Sequence, residues 1–120
     1  MSENVLRISS TNFTPDIYID YDEKFAKFVG KSIPDDAYDF YFTVTQKLKN
    51  VCDLSLEIDF EYLNSASLRF LIFAISSELN LKSVVWYHED GDSDIEEKGR
   101  LIKDIMNKEH PDVIVEIKSK

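Results

Sequence analysis

Between residues 54 and 61, Leu54, Leu56, Ile58 and Phe60 fall on one side of an extended chain, while Ser55, Glu57, Asp59 and Glu61 fall on the other. That alternation predicts a strand with one buried face. Past Asn64 the period lengthens. Leu68, Leu71, Ile72, Ile75 and Leu79 recur at the three-and-four spacing of one helix face.

The same reading extends to both sides. Residues 6–8, 17–21 and 25–29 read as short strands, the second and third joined by the polar turn Asp22-Glu23-Lys24, which suggests an N-terminal meander. Pro34-Asp35-Asp36 opens a helix with proline and acids at its positive end, and Phe40, Val44 and Leu48 continue it to about Lys49. Residues 83–88 read as a buried strand. Asp94 is expected to cap a third helix with Leu101, Ile102, Ile105 and Met106 facing inward, and Val113-Ile114-Val115, with Ile117 beyond, to form the last strand. The resulting order, β-β-β-α-β-α-β-α-β, implies an α/β fold: a mixed sheet with parallel members, right-handed crossovers and helices on at least one face. No repeat, linker or low-complexity tract divides residues 1–120, so one domain is expected.

Chemistry concentrates where the strand pattern hands over to the helix pattern. Asn64 is the expected N-cap, its side chain accepting from one of the first helical N–H groups. Ser65, Ala66 and Ser67 then fall in the first turn, where unpaired donors and the helix dipole favour negative charge. A phosphate on Ser65, or on Ser67 as the alternative, would be stabilised there.

Composition narrows the field. The chain carries 14 Lys and Arg against 23 Asp and Glu, a formal charge of -9, which argues against direct binding to nucleic acid. The single Cys52 excludes an internal disulfide and multi-cysteine clusters, points to a reducing compartment, and is expected to pack inside. The Met-Ser-Glu-Asn start lacks signal-peptide features, and no run of 18 apolar residues is present, so a cytoplasmic protein without membrane insertion is expected.

Catalytic and cofactor motifs are missing. Gly30, Gly91 and Gly99 cannot form either glycine-rich phosphate loop, and His88 and His110 fit no zinc-ligand spacing and are expected at the surface. The acidic stretch Glu89, Asp90, Asp92, Asp94 suggests hard-cation binding. An EF-hand loop begun at Asp90, however, places Ile95 at the glycine position and Leu101 at the bidentate glutamate, so a solvated loop is the better reading. No catalytic residue, metal or cofactor is expected.

On a helical wheel Phe70, Phe73 and Ser77 lie opposite the Leu71, Ile75 and Leu79 face, with Arg69 beside them. Either the N-terminal meander covers this side, or it is a protein-docking face.

Taken together, the residues resemble the SiaC-type bacterial regulatory phosphoproteins, related in fold to the STAS anti-sigma-factor antagonists. The resemblance rests on Thr14-Pro15, on Pro34-Asp35-Asp36-Ala37 with Asp39-Phe40-Tyr41, on Glu61-Tyr62-Leu63-Asn64, and on Trp86-Tyr87 with the acidic loop after it. In that family the junction typically reads Asn-Thr-Ser-Ser, with the threonine as phosphoacceptor. The position corresponds to Ser65 in Asn64-Ser65-Ala66-Ser67. The resemblance implies a non-enzymatic partner switch: a serine/threonine kinase phosphorylates the domain, a PP2C-type phosphatase restores it, and the unmodified form binds and activates a diguanylate cyclase. An anti-sigma-factor antagonist, a small-ligand carrier of STAS-like build and an acidic-loop metalloenzyme are the competing expectations.

Overall fold

Six strands form one sheet whose spatial order, β1-β2-β3-β4-β5-β6, is the order of the chain, in a computed structural model that describes residues 4–120. The strands are β1 (Val5–Ile8), β2 (Asp16–Asp20), β3 (Phe25–Ser32), β4 (Leu54–Leu63), β5 (Leu81–His88) and β6 (Ile114–Ser119). The first two pairings are antiparallel and the other three parallel. Each parallel pairing needs a crossover, supplied by α1 (Ala37–Leu48), α2 (Ser65–Phe73) and α3 (Ser93–Glu109). Because all three crossovers step the same way along the sheet, their right-handedness puts the three helices on one face. β1 and β2 extend the sheet beyond β3 to one edge.

The core lies between that face and the helices. Ile17 and Ile19 of β2, Ala26 and Phe28 of β3, and Leu54, Leu56, Ile58 and Phe60 of β4 are buried, as the period of two requires. The other face is mixed. Arg7 stands over the Tyr18 ring, and Lys27 lies between Glu57 and the ring of Tyr87. Near its end β3 shifts register between Gly30 and Lys31, and Gly30 takes φ 119°, a conformation open to glycine.

Several expectations need correction. The cap of α3 is Asp92, which accepts from the Ile95 N–H at 3.1 Å; Asp94 sits inside the first turn. Both are aspartates two residues apart, so where the chain leaves the Gly91 turn decided between them. The buried stripe of α3 is Ile95, Gly99, Ile102 and Met106; Leu101, one step off that line, is 45% exposed. In α1 the deepest aromatic is Tyr41, with Phe40 half-buried edge-on beside it. The second helix does not stay α-helical to Leu79: residues Ala74–Glu78 form a π turn, closed by the Leu79 N–H on the Ala74 carbonyl. Cys52 is exposed in the turn before β4. His88 is buried, not superficial, with Nδ1 2.9 Å from the Glu89 carbonyl oxygen. His110 is exposed.

Candidate functional site: the start of the second helix

β4 delivers its last apolar residue, Leu63, into the core and the chain turns at once into α2. Asn64 makes that turn possible. Its backbone is extended (φ -81°, ψ 168°), its side-chain oxygen accepts from the Ser67 N–H at 2.9 Å, and its own N–H donates to the Ser32 carbonyl at 3.1 Å. The cap therefore ties the helix start to the end of β3 while satisfying one of the donors that every helix leaves unpaired.

The two serines of the first turn differ sharply in environment. Ser65 is exposed, whereas Ser67 is fully buried. Beneath Ser67, the Tyr41 hydroxyl of α1 and Ser32 Oγ are 2.5 Å apart, both buried. Burial pushes the Tyr41 hydroxyl far above its ordinary pKa, against a smaller opposing pull from the Ser32 and Ser67 hydroxyls beside it. Ser67 Oγ itself meets no partner in hydrogen-bond geometry. The first turn therefore presents one accessible hydroxyl, that of Ser65, and keeps that of Ser67 inside.

Along α2 the sequence-derived docking residues separate. Arg69, Phe73 and Ser77 are exposed, and Phe73 retains 54% of its accessible surface. Phe70 is half-buried because Tyr38 of α1 covers it edge-on at 5.5 Å; Tyr38 in turn stacks on Phe42 at 5.9 Å. Tyr38 and Phe42 are 58% and 50% exposed. Phe42, Tyr38 and Phe70 touch in series, and with Phe73 they form an aromatic seam between α1 and α2 around a shallow groove of about 60 Å³ whose wall includes Thr45, Gln46, Ala74 and Glu78. The helical wheel of α2 could find Phe73. It could not find Tyr38 and Phe42, because those belong to α1 and join the seam only through packing between the helices.

A further group was missed in sequence. Lys98 of α3 donates from Nζ to the Leu63 carbonyl at 2.8 Å and to Asp94 Oδ2 at 2.8 Å, so a cation stands at the junction. In the sequence Lys98 shows only as a partner four residues after Asp94. The acidic loop plays another part: Asp92 caps α3, and among the described residues no three His, Cys, Asp or Glu side chains converge as a metal site would require.

A one-sided α/β sheet with an exposed serine at a capped helix start describes a small α/β domain with six strands and three crossover helices. The chain belongs to the SiaC family of regulatory phosphoproteins, whose family model matches residues 8–115. Its fold matches SiaC of Pseudomonas aeruginosa with a TM-score of 0.74 at 19% identity, each chain covered completely. It matches the crystal structure of apo-SiaC from the same organism with a TM-score of 0.75 at 18% identity, over 99% of this chain and 100% of the other. A third match, with a TM-score of 0.71 at 17% identity over 94% and 99% of the two chains, is to the crystal structure of the diguanylate cyclase SiaD in complex with its activator SiaC from Pseudomonas aeruginosa. At such identities these likenesses concern the fold. No curated protein matches the sequence.

Proposed function

We propose that this chain is a phosphorylation-controlled partner switch that binds and activates a diguanylate cyclase when unmodified. The observation that carries the reading is the exposed Ser65 hydroxyl at the capped start of a helix that also bears the aromatic seam, in a chain of the SiaC family. The complex of SiaD with its activator SiaC supplies the precedent for the partner. In this reading the chain is one domain, STAS-like in its sheet-and-helix build, acts in the cytoplasm and catalyses nothing itself. No helix among the described residues is long and apolar enough to cross a membrane.

The switch follows from charge and distance. A kinase moves the γ-phosphoryl of ATP onto Ser65 Oγ, releasing ADP and a proton; a PP2C-type phosphatase hydrolyses it back to serine and inorganic phosphate. The phosphate adds about 1.5 to 2 negative charges, which the unpaired N–H groups of the helix start stabilise. At a rise of 1.5 Å per residue Ser65 lies about 8 Å along the axis from Phe70 and about 12 Å from Phe73. The first distance is close to the Debye length of about 8 Å at physiological salt, so a partner seated on Tyr38 and Phe70 feels the new charge. Desolvating that charge opposes docking, while the fold loses little. The groove itself, about 60 Å³, is too small to enclose a small ligand, for which pockets run to about 300–1,000 Å³, and so suits a protein surface.

Intact-mass measurement with phosphopeptide localisation, after incubation with ATP and a candidate serine/threonine kinase, tests the reading. One phosphate on Ser65, removed by the matching phosphatase and abolishing cyclase binding, is expected. Equal cyclase binding by unmodified and fully phosphorylated protein overturns it.

A further inference from the structure

Lys98 belongs to α3 yet ends on the last carbonyl of β4, 35 positions away in sequence, immediately before the cap Asn64. Its side chain is only 19% exposed, whereas the Asp94 carboxylate it also touches is 65% exposed. The ammonium lies 6.0 Å from the ring centroid of Tyr62, itself a half-exposed residue just before Leu63. A surface lysine serving only its i,i+4 partner would keep its head in water. This one is laid across the molecule onto the strand-to-helix junction.

Two virtual bonds of about 3.8 Å each keep the Ser65 Cα within about 8 Å of the Leu63 Cα, inside the sweep of a flexible four-carbon stem whose head already rests on Leu63. The Asp94 pairing is weak competition, because its carboxylate is largely solvated and carries one charge against the 1.5 to 2 or so of a phosphate. The rival cation is Arg69, four residues along α2 from Ser65 and exposed; the facing carboxylates are Asp94 on α3 and the exposed Glu61 on β4.

We propose that Lys98 is the positioning residue of the phosphorylated state: its ammonium exchanges the Asp94 carboxylate for a phosphate on Ser65, carrying the chemical state of α2 to Tyr62 and to the first turns of α3. The inference rests on the reading of Ser65 as the phosphoacceptor. It gives the switch a second surface, on the α3 side of the junction, apart from the aromatic seam on the α1 side.

The test is a phosphorus-31 NMR titration of the full chain phosphorylated by its kinase, with the site first localised by mass spectrometry. In the wild type the second ionisation of the phosphoserine is expected below its ordinary value of about 6, because a neighbouring ammonium favours the dianion. Lys98→Met should raise it by at least about half a unit, Lys98→Arg should restore it, and Asp94→Asn, which leaves the Asp92 cap intact, should lower it further. Identical titrations of wild type and Lys98→Met, or a shift that follows Arg69→Gln alone, overturn the assignment of Lys98 while leaving the switch standing. Phosphate absent from Ser65 overturns both together.

Discussion

The helical layer is finished at one end and left open at the other. Where α3 crosses β5, Trp86 is 1% exposed, its Nε1 donates to the Ile95 carbonyl at 2.9 Å, and the ring lies flush against Gly99. Phe60 meets the same indole edge-on at 6.3 Å. Where α1 meets α2 the chain also spends aromatic residues, but Tyr38, Phe42 and Phe73 each keep half or more of their surface in water. Equal chemistry with opposite burial separates two tasks. The α3 side uses its aromatic side chains to hold the fold, and the α1–α2 side leaves them exposed, as the proposed docking of another protein requires.

That contrast breaks most sharply at Gly99. A Cβ there would lie well inside van der Waals contact with the Trp86 ring, and the indole has no room to yield. Gly99→Ala is expected to destabilise the protein by about 3 kcal/mol, at the upper end of overpacking costs, read as a lower chemical-denaturation midpoint and altered tryptophan fluorescence. Unchanged stability would show that α3 can slide on the sheet.

The seam should answer in the opposite way. Phe73→Ala is expected to cost about 2 kcal/mol of affinity for the cyclase, roughly thirtyfold, and under about 0.5 kcal/mol of stability. Titration calorimetry against the partner beside thermal melts separates the two quantities; a large stability loss with intact binding would reverse the assignment. At the junction between these regions, Asn64→Ala should cost about 1 kcal/mol of stability by stripping the Ser67 N–H of its acceptor. Ser65→Ala should bind the partner constitutively, with Ser65→Asp only partly released because a carboxylate carries less charge than a phosphate.

The smallest effect concerns Tyr41 and appears only in alkali. Burial raises its folded pKa above the unfolded value of 10.0, so both states are neutral below pH 10 and stability is unaffected there. Above pH 10 the unfolded chain ionises first, and stability falls as pH rises toward the folded pKa. Tyr41→Phe should flatten that alkaline limb in denaturant titrations between pH 9 and about 11. An unchanged slope would place the alkaline sensitivity elsewhere.

Much of this architecture is legible in the residues themselves. The alternation of Leu54, Leu56, Ile58 and Phe60 marks β4, and Asn64 marks its end, because strand period and capping are local properties. What the sequence conceals depends on distant neighbours. The burial of Ser67 is set by Tyr41 and Ser32, the partial burial of Phe70 by Tyr38, and the burial of His88 by its place in β5. Lys98 is legible as a helix-surface pair with Asp94, but its contact with Leu63 exists only once α3 lies beside the end of β4. Leu101 fails for another reason: four apolar residues in six positions outnumber the width of the stripe, and Gly99, invisible to a hydrophobic count, takes the place on the core line.

The sheet whose spatial order repeats the order of the chain has a consequence for how the protein is made. Each strand pairs with the strand synthesised just before it, so a nascent chain can add one ribbon at a time as it leaves the ribosome, with no later strand needing to insert between two earlier ones. The serine junction, emerging after β3 and α1, meets the Ser32 carbonyl that accepts its cap N–H, and the buried Tyr41 side chain, already in place.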